Sequence, residues 1–150
     1  MRTWQPSDGV SAQLQALLPA AIAEHEAMLQ PADSKAFAVA LDRLFAFARA
    51  FDLPNDPGGR KAQVGIYRET LGDLPTDLLH EAMTATIREW RLGAKMPLPG
   101  DIRRYAADAL EKRRSALRRL ALARSFAAMD AAFMANRSAI KAPPEGRTAT

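Results

Sequence analysis

Apolar residues recur at intervals of three and four through most of the chain, the spacing that places side chains on one face of an α-helix. The first such run is Leu14, Leu17, Leu18, Ala21 and Ile22, predicting a helix from about Val10 to Gln30 that Pro31 stops. Pro19 lies inside it and predicts a kink or break near Leu18, because proline lacks the N–H the helix ladder needs. Asp33 or Ser34 is placed to cap a second helix. On that helix Phe37, Leu41, Leu44, Phe45, Ala48 and Phe51 form the clearest core stripe.

Punctuation then separates the remaining elements. Leu53-Pro54-Asn55-Asp56-Pro57-Gly58-Gly59 is dense in helix breakers and predicts a loop. A short helix is expected from about Arg60 to Leu71, with Val64, Tyr67 and Leu71 on one face. Asp73 and Pro75 open the next, since proline suits a first helical turn. Its buried side is Leu78, Leu79, Ala82, Met83, Ile87 and Trp90, and Gly93 reads as its stop. Lys95 to Asp101 is a proline-rich connector, and from Asp101 a long helix is expected to about Asn136. The residues after Lys141, with Pro143, Pro144 and Gly146, read as a disordered tail. Nothing reads as a strand. The expected fold is therefore all-α: a small helical bundle over residues 1–100, its core completed by 101–120, then a basic helical arm over 101–141 and a tail over 142–150. The expected core is Phe37, Leu41, Leu44, Phe45, Ala48, Val64, Tyr67, Leu71, Leu79, Met83, Ile87 and Ile102.

The long helix carries two stripes. At about 100° per residue, Ile102, Tyr105, Ala106, Ala109, Ala116, Leu117 and Leu120 share one face, interrupted by Arg113 and Arg124. From Leu122 a second stripe, Leu122, Phe126, Met129 and Phe133, runs along roughly the opposite face. One straight helix on one bundle cannot bury both. Either the chain turns near Arg124-Ser125 and folds the second stripe back on the first helix, or the distal part meets another surface.

Composition changes this picture in two respects. With 48% apolar and 25% charged residues among 150, the chain can build a core under an ordinary surface. The net charge of +4 is uneven: residues 1–99 hold ten Lys/Arg against twelve Asp/Glu, while residues 100–150 hold eleven against five. That places an excess of positive charge on the long helix, through Lys112, Arg113, Arg114, Arg118, Arg119 and Arg124, facing an acidic partner or nucleic acid. These cations spread around the helix without interleaved aromatic residues, whereas a groove-reading helix favours one basic face.

Candidate chemistry is sparse. Without cysteine there are no disulfides, thiolate metal sites or cysteine nucleophiles. His25 and His80 are each followed by Glu-Ala-Met, but the positions a zinc-protease helix needs as histidine are Leu29 and Thr84. Gly58-Gly59-Arg60-Lys61 lacks phosphate-loop spacing, and no serine sits in a nucleophile elbow. No catalytic residue, metal or cofactor is expected. No apolar run approaches a membrane span and the first residues do not read as a secretory signal, so the expected compartment is the cytoplasm.

One block carries a family pattern: Tyr67, then Leu71-Gly72-Asp73-Leu74, Leu78-Leu79, Ala82, Ile87 and Trp90, then Met96-Pro97-Leu98-Pro99-Gly100-Asp101-Ile102-Arg103. Over these roughly 40 residues the chain resembles the phage replicative-helicase loader/inhibitor family. Met96 stands where that family more usually has phenylalanine, and Gly100 departs from its cap region. The resemblance implies a phage or prophage DNA-replication accessory protein, which binds the ring-shaped replicative helicase, holds it inactive and delivers it to an origin-bound initiator. It further implies a helical scaffold followed by a C-terminal contact region. The expected contact residues are Leu122, Phe126, Met129 and Phe133, flanked by Arg113, Arg114, Arg118, Arg119 and Arg124. Two alternatives stand beside it: a nucleic-acid-binding regulator using the basic helix for DNA contact, and a structural homodimer with a seam from Leu122 to Phe133.

Overall fold

In the computed structural model, residues 12–50, 57–90 and 95–141 are described. They form five helices: α1 (Ala12–Ala27), α2 (Ser34–Ala50), α3 (Pro57–Leu71), α4 (Thr76–Glu89) and α5 (Pro99–Lys141). The fold is all-α, a short helical bundle followed by a long C-terminal helix. Among the described residues the only β pairing is an isolated bridge between Pro31 and Pro75. By contacts the chain divides into two compact units, residues 24–116 and residues 1–23 with 117–150.

The unit 24–116 holds the main core. Asp33 caps α2: its side chain accepts the Ala36 N–H at 2.7 Å, and its carbonyl accepts the Phe37 N–H at 2.9 Å. The apolar face of α2 buries Phe37, Ala40, Leu41, Leu44, Phe45 and Ala48, and α2 packs on α4 through Leu78, Leu79, Ala82 and Met83. α3 adds Tyr67 and Leu71, with the Tyr67 ring meeting Phe45 edge-on at 6.2 Å. α5 closes the cluster with Ile102, Ala106 and Leu110. Val64 and Ile87, expected in the core, pack against it while only half-buried.

The helix ends show why the elements stop where they do. α1 ends at Ala27, and the next turn tightens through Leu29 N–H to the Glu26 carbonyl and Gln30 N–H to the Ala27 carbonyl. The expected break at Pro19 does not occur: α1 runs through it, with the ring exposed to solvent. α3 begins at Pro57, three residues before the expected start, so Pro57-Gly58-Gly59 is helical rather than loop. Proline tolerates that place because the first helical N–H groups have no partner within the helix. Pro99 likewise opens α5, where the Asp101 carboxylate accepts the Leu98 N–H at 3.2 Å, half of a capping box. The expected Gly93 stop, the Phe51 end of the α2 stripe, loop positions 53–56 and the tail 142–150 lie outside the described residues.

α5 differs most from expectation. It is continuous through Arg124-Ser125 and reaches Lys141. The Ser125 hydroxyl donates to the Ala121 carbonyl at 3.1 Å, the back-bond of a serine within a helix, not of one capping a new one. Tyr105, expected on the buried face, is 42% exposed, and its hydroxyl binds Glu89. Leu110 takes up the core row instead, because Ile102, Ala106 and Leu110 repeat every four residues along one ridge.

Candidate functional site

The unit of residues 1–23 and 117–150 buries Leu18 and Ile22 on α1 and Ala127 on α5. Its portion of α5 carries the second apolar stripe in the open: Leu122 is 56% exposed, Phe126 54%, Met129 66% and Phe133 62%. Ile140, which the sequence reading passed over, prolongs the stripe and is exposed as well. The signal that finds it is the spacing itself. From Phe133 the alternation of three and four continues through a polar position, Asn136, to Ile140, within a helix that outlasts its expected end.

The flanking cations divide sharply. Arg113, which interrupts the first stripe in sequence, is only 19% exposed at its side chain. Its guanidinium forms a two-pronged ion pair with Asp77 and donates to the Met28 carbonyl at 2.9 Å. Arg114 reaches Asp73 at 3.2 Å. The same Asp73 takes two hydrogen bonds from Arg103, at 2.5 and 2.8 Å, while Arg103 also donates to the Thr70 carbonyl. These contacts depress the carboxyl pKa values of Asp73 and Asp77, chiefly through the arginine hydrogen bonds, and raise those of Arg103 and Arg113. Arg104 pairs with Asp101 at 2.7 Å. Arg103, Arg104, Arg113 and Arg114 on proximal α5 therefore engage their charge inside their own unit, while Lys112, Arg118, Arg119 and Arg124 are exposed.

Two surface hollows lie on the unit 24–116. One, about 300 Å³, is lined by Thr86, Glu89, Trp90, Lys95, Pro97, Asp101, Arg104 and Tyr105. Within it Tyr105 donates to Glu89 and Arg104 to Asp101. The other is a shallow patch of His80, Glu81, Thr84, Ala85 and Arg88 on α4, where the Thr84 hydroxyl donates to the His80 carbonyl and accepts from Arg43. Among the described residues no three histidine or carboxylate groups gather as a metal site, and no helix is long and apolar enough to cross a membrane. Compared with family models, curated proteins and solved structures, the chain matches none.

Proposed function

We propose that this protein acts by binding another protein through the distal third of α5, without catalysing a reaction. The observation that carries the reading is the row Leu122, Phe126, Met129 and Phe133, four large apolar side chains each more than half exposed along one helix. Water-exposed apolar clusters of this kind mark interaction surfaces, because covering them releases the free energy that exposure costs. The family resemblance over Tyr67 to Ala106 supplies the partner: a cytoplasmic replicative helicase, which the protein loads or holds inactive during phage or prophage replication. Arg118 and Arg119 stand beside the proximal end of the row and complement an acidic rim, while Arg124 lies on the opposite face. The internal pairing of Arg113 and Arg114 favours this over DNA contact, since phosphate binding draws on cations not already engaged.

The test combines the purified chain with its host's replicative helicase and reads binding, ATPase and unwinding, with a Phe126→Asp, Phe133→Asp variant alongside. The expected result is a helicase effect that the variant loses at unchanged melting temperature. Absence of both binding and any change in helicase activity refutes the helicase assignment. A large fall in melting temperature in the variant refutes the stripe as a contact surface.

A further inference from the structure

The exposed row has a geometry that selects its occupant. Leu122, Phe126, Met129, Phe133, Asn136 and Ile140 are spaced four, three, four, three and four, the alternation of a coiled-coil seam. Phe126, Phe133 and Ile140 take one seam position; Leu122, Met129 and Asn136 take the other. All six are exposed on one continuous helix, and the buried Ala127 lies on a different face. The seam is already formed and lacks only a second strand. We propose that two copies of this chain associate through Leu122–Ile140 as a parallel two-stranded coiled coil.

Asn136 and the flanking charges fix the direction. With parallel strands in register, Asn136 faces Asn136 of the second copy, and each amide finds a donor and an acceptor in its counterpart. A single asparagine at an a position sets register and strand number at some cost in stability. Asn136 stands at a d position, where the same exchange between facing amides favours the in-register parallel pair over any pairing that leaves the amides without partners. The apolar layers then pair Leu122, Phe126, Met129, Phe133 and Ile140 each with its own copy. Antiparallel strands would instead centre on Ala131 and set Asn136 against Phe126 at both ends. Two amides would be covered by aromatic rings with no partner, which is costly. Charge points the same way. One flank of the seam carries Asp130 and Arg137, the other Ser125 and Ala132. Parallel pairing joins unlike flanks, so Asp130 meets Ser125 and Arg137 meets Ala132. Antiparallel pairing joins like flanks and would bring Asp130 beside Asp130 at the axis.

The upstream limit of the seam is equally defined. One seam position before Leu122 and Phe126 stands Arg119, which would face its own copy, so the strands diverge there. With five exposed apolar side chains per copy, the interface is a small one, near the roughly 1,200 Å² lower end of stable interfaces. The dimer is accordingly weak and concentration-dependent. This inference rests on the reading of the row as a contact surface and names its occupant when no other protein is present. A helicase and a second copy exclude one another there.

Sedimentation of the full chain over a wide concentration range tests it. The expected mass climbs from the 16.4 kDa of one chain towards twice that value. Asn136→Asp sets two carboxylates face to face and should raise the dimer Kd at least tenfold at neutral pH. Asn136→Leu, which removes the polar layer, should lower it. Because the chain has no cysteine, direction can be read by oxidising single-cysteine variants. In parallel strands Leu122→Cys joins directly to itself, whereas antiparallel strands hold the two copies about 27 Å apart, beyond disulfide reach. A chain that stays at 16.4 kDa at the highest concentration overturns the proposal. So does a Leu122→Cys variant that cross-links only when mixed with Ile140→Cys. Helicase binding by a strictly monomeric chain leaves the function standing while this inference falls; dimerisation without helicase binding does the reverse.

Discussion

Asp73 gives the sharpest energetic test of how α5 is fastened. It sits in the turn after α3 and receives three guanidinium hydrogen bonds, two from Arg103 and one from Arg114, so one carboxylate holds α5 at two points. Its side chain is 44% exposed, which lets solvent screen the pairs. Exposed ion pairs contribute about 0.2–1 kcal/mol each, with the two-pronged Arg103 contact towards the top of that range. Asp73→Ala is therefore expected to cost about 1 kcal/mol, a melting-temperature fall of roughly 4–8 °C for a cooperative unit of this size. The effect carries a pH signature. Because the folded-state pKa of Asp73 lies below its unfolded value, its stabilisation is complete above about pH 4 and disappears as pH falls through the lower folded value. Urea melts followed by helical circular dichroism, on wild type, Asp73→Ala, Arg103→Ala and the double variant, measure both quantities. A coupling near zero at pH 7 would refute the clamp. So would a wild-type-to-variant difference that persists undiminished into strong acid.

Three further outcomes follow from the core and its caps. Leu79→Ala removes a completely buried side chain between α2 and α4 and should cost about 2–5 kcal/mol in the same melts. Asp33→Ala deletes the α2 cap and should cost about 1 kcal/mol, largely recovered by Asp33→Asn or Asp33→Ser. Tyr67 is buried and donates to the Pro97 carbonyl at 2.5 Å, and burial is the main reason its pKa is pushed up to about 12. Its stabilisation should thus be intact below about pH 10 and be lost as pH rises towards 12, while Tyr67→Phe, lacking that hydrogen bond, costs about 1 kcal/mol at neutral pH.

Much of this architecture was legible in the sequence because helix periodicity is local. The three-four spacing on α2 and α4 identified the faces that meet, and Asp33 advertised its cap by residue type alone. The sequence also exposed the conflict in α5, two apolar stripes on opposed faces, without resolving it. A turn at Ser125 and a continuous helix are both compatible with the local spacing; the helix is in fact continuous there, and the distal row is exposed. Proline at Pro19 and Pro57 misled in the same way: the residue fixes φ and removes a donor, but whether a helix continues past it depends on what the rest of the chain gains. Other outcomes required partners far away in sequence. Arg113 looked like a flaw in an apolar stripe until Asp77, 36 residues earlier, received it. Leu74 lies in a turn with no periodic signal, yet it is fully buried where Ala32 donates to its carbonyl at 2.9 Å. Sequence spacing determines which side chains share a face. Only tertiary structure decides what covers that face, because burial and charge pairing are set by segments that propensity and periodicity never bring together.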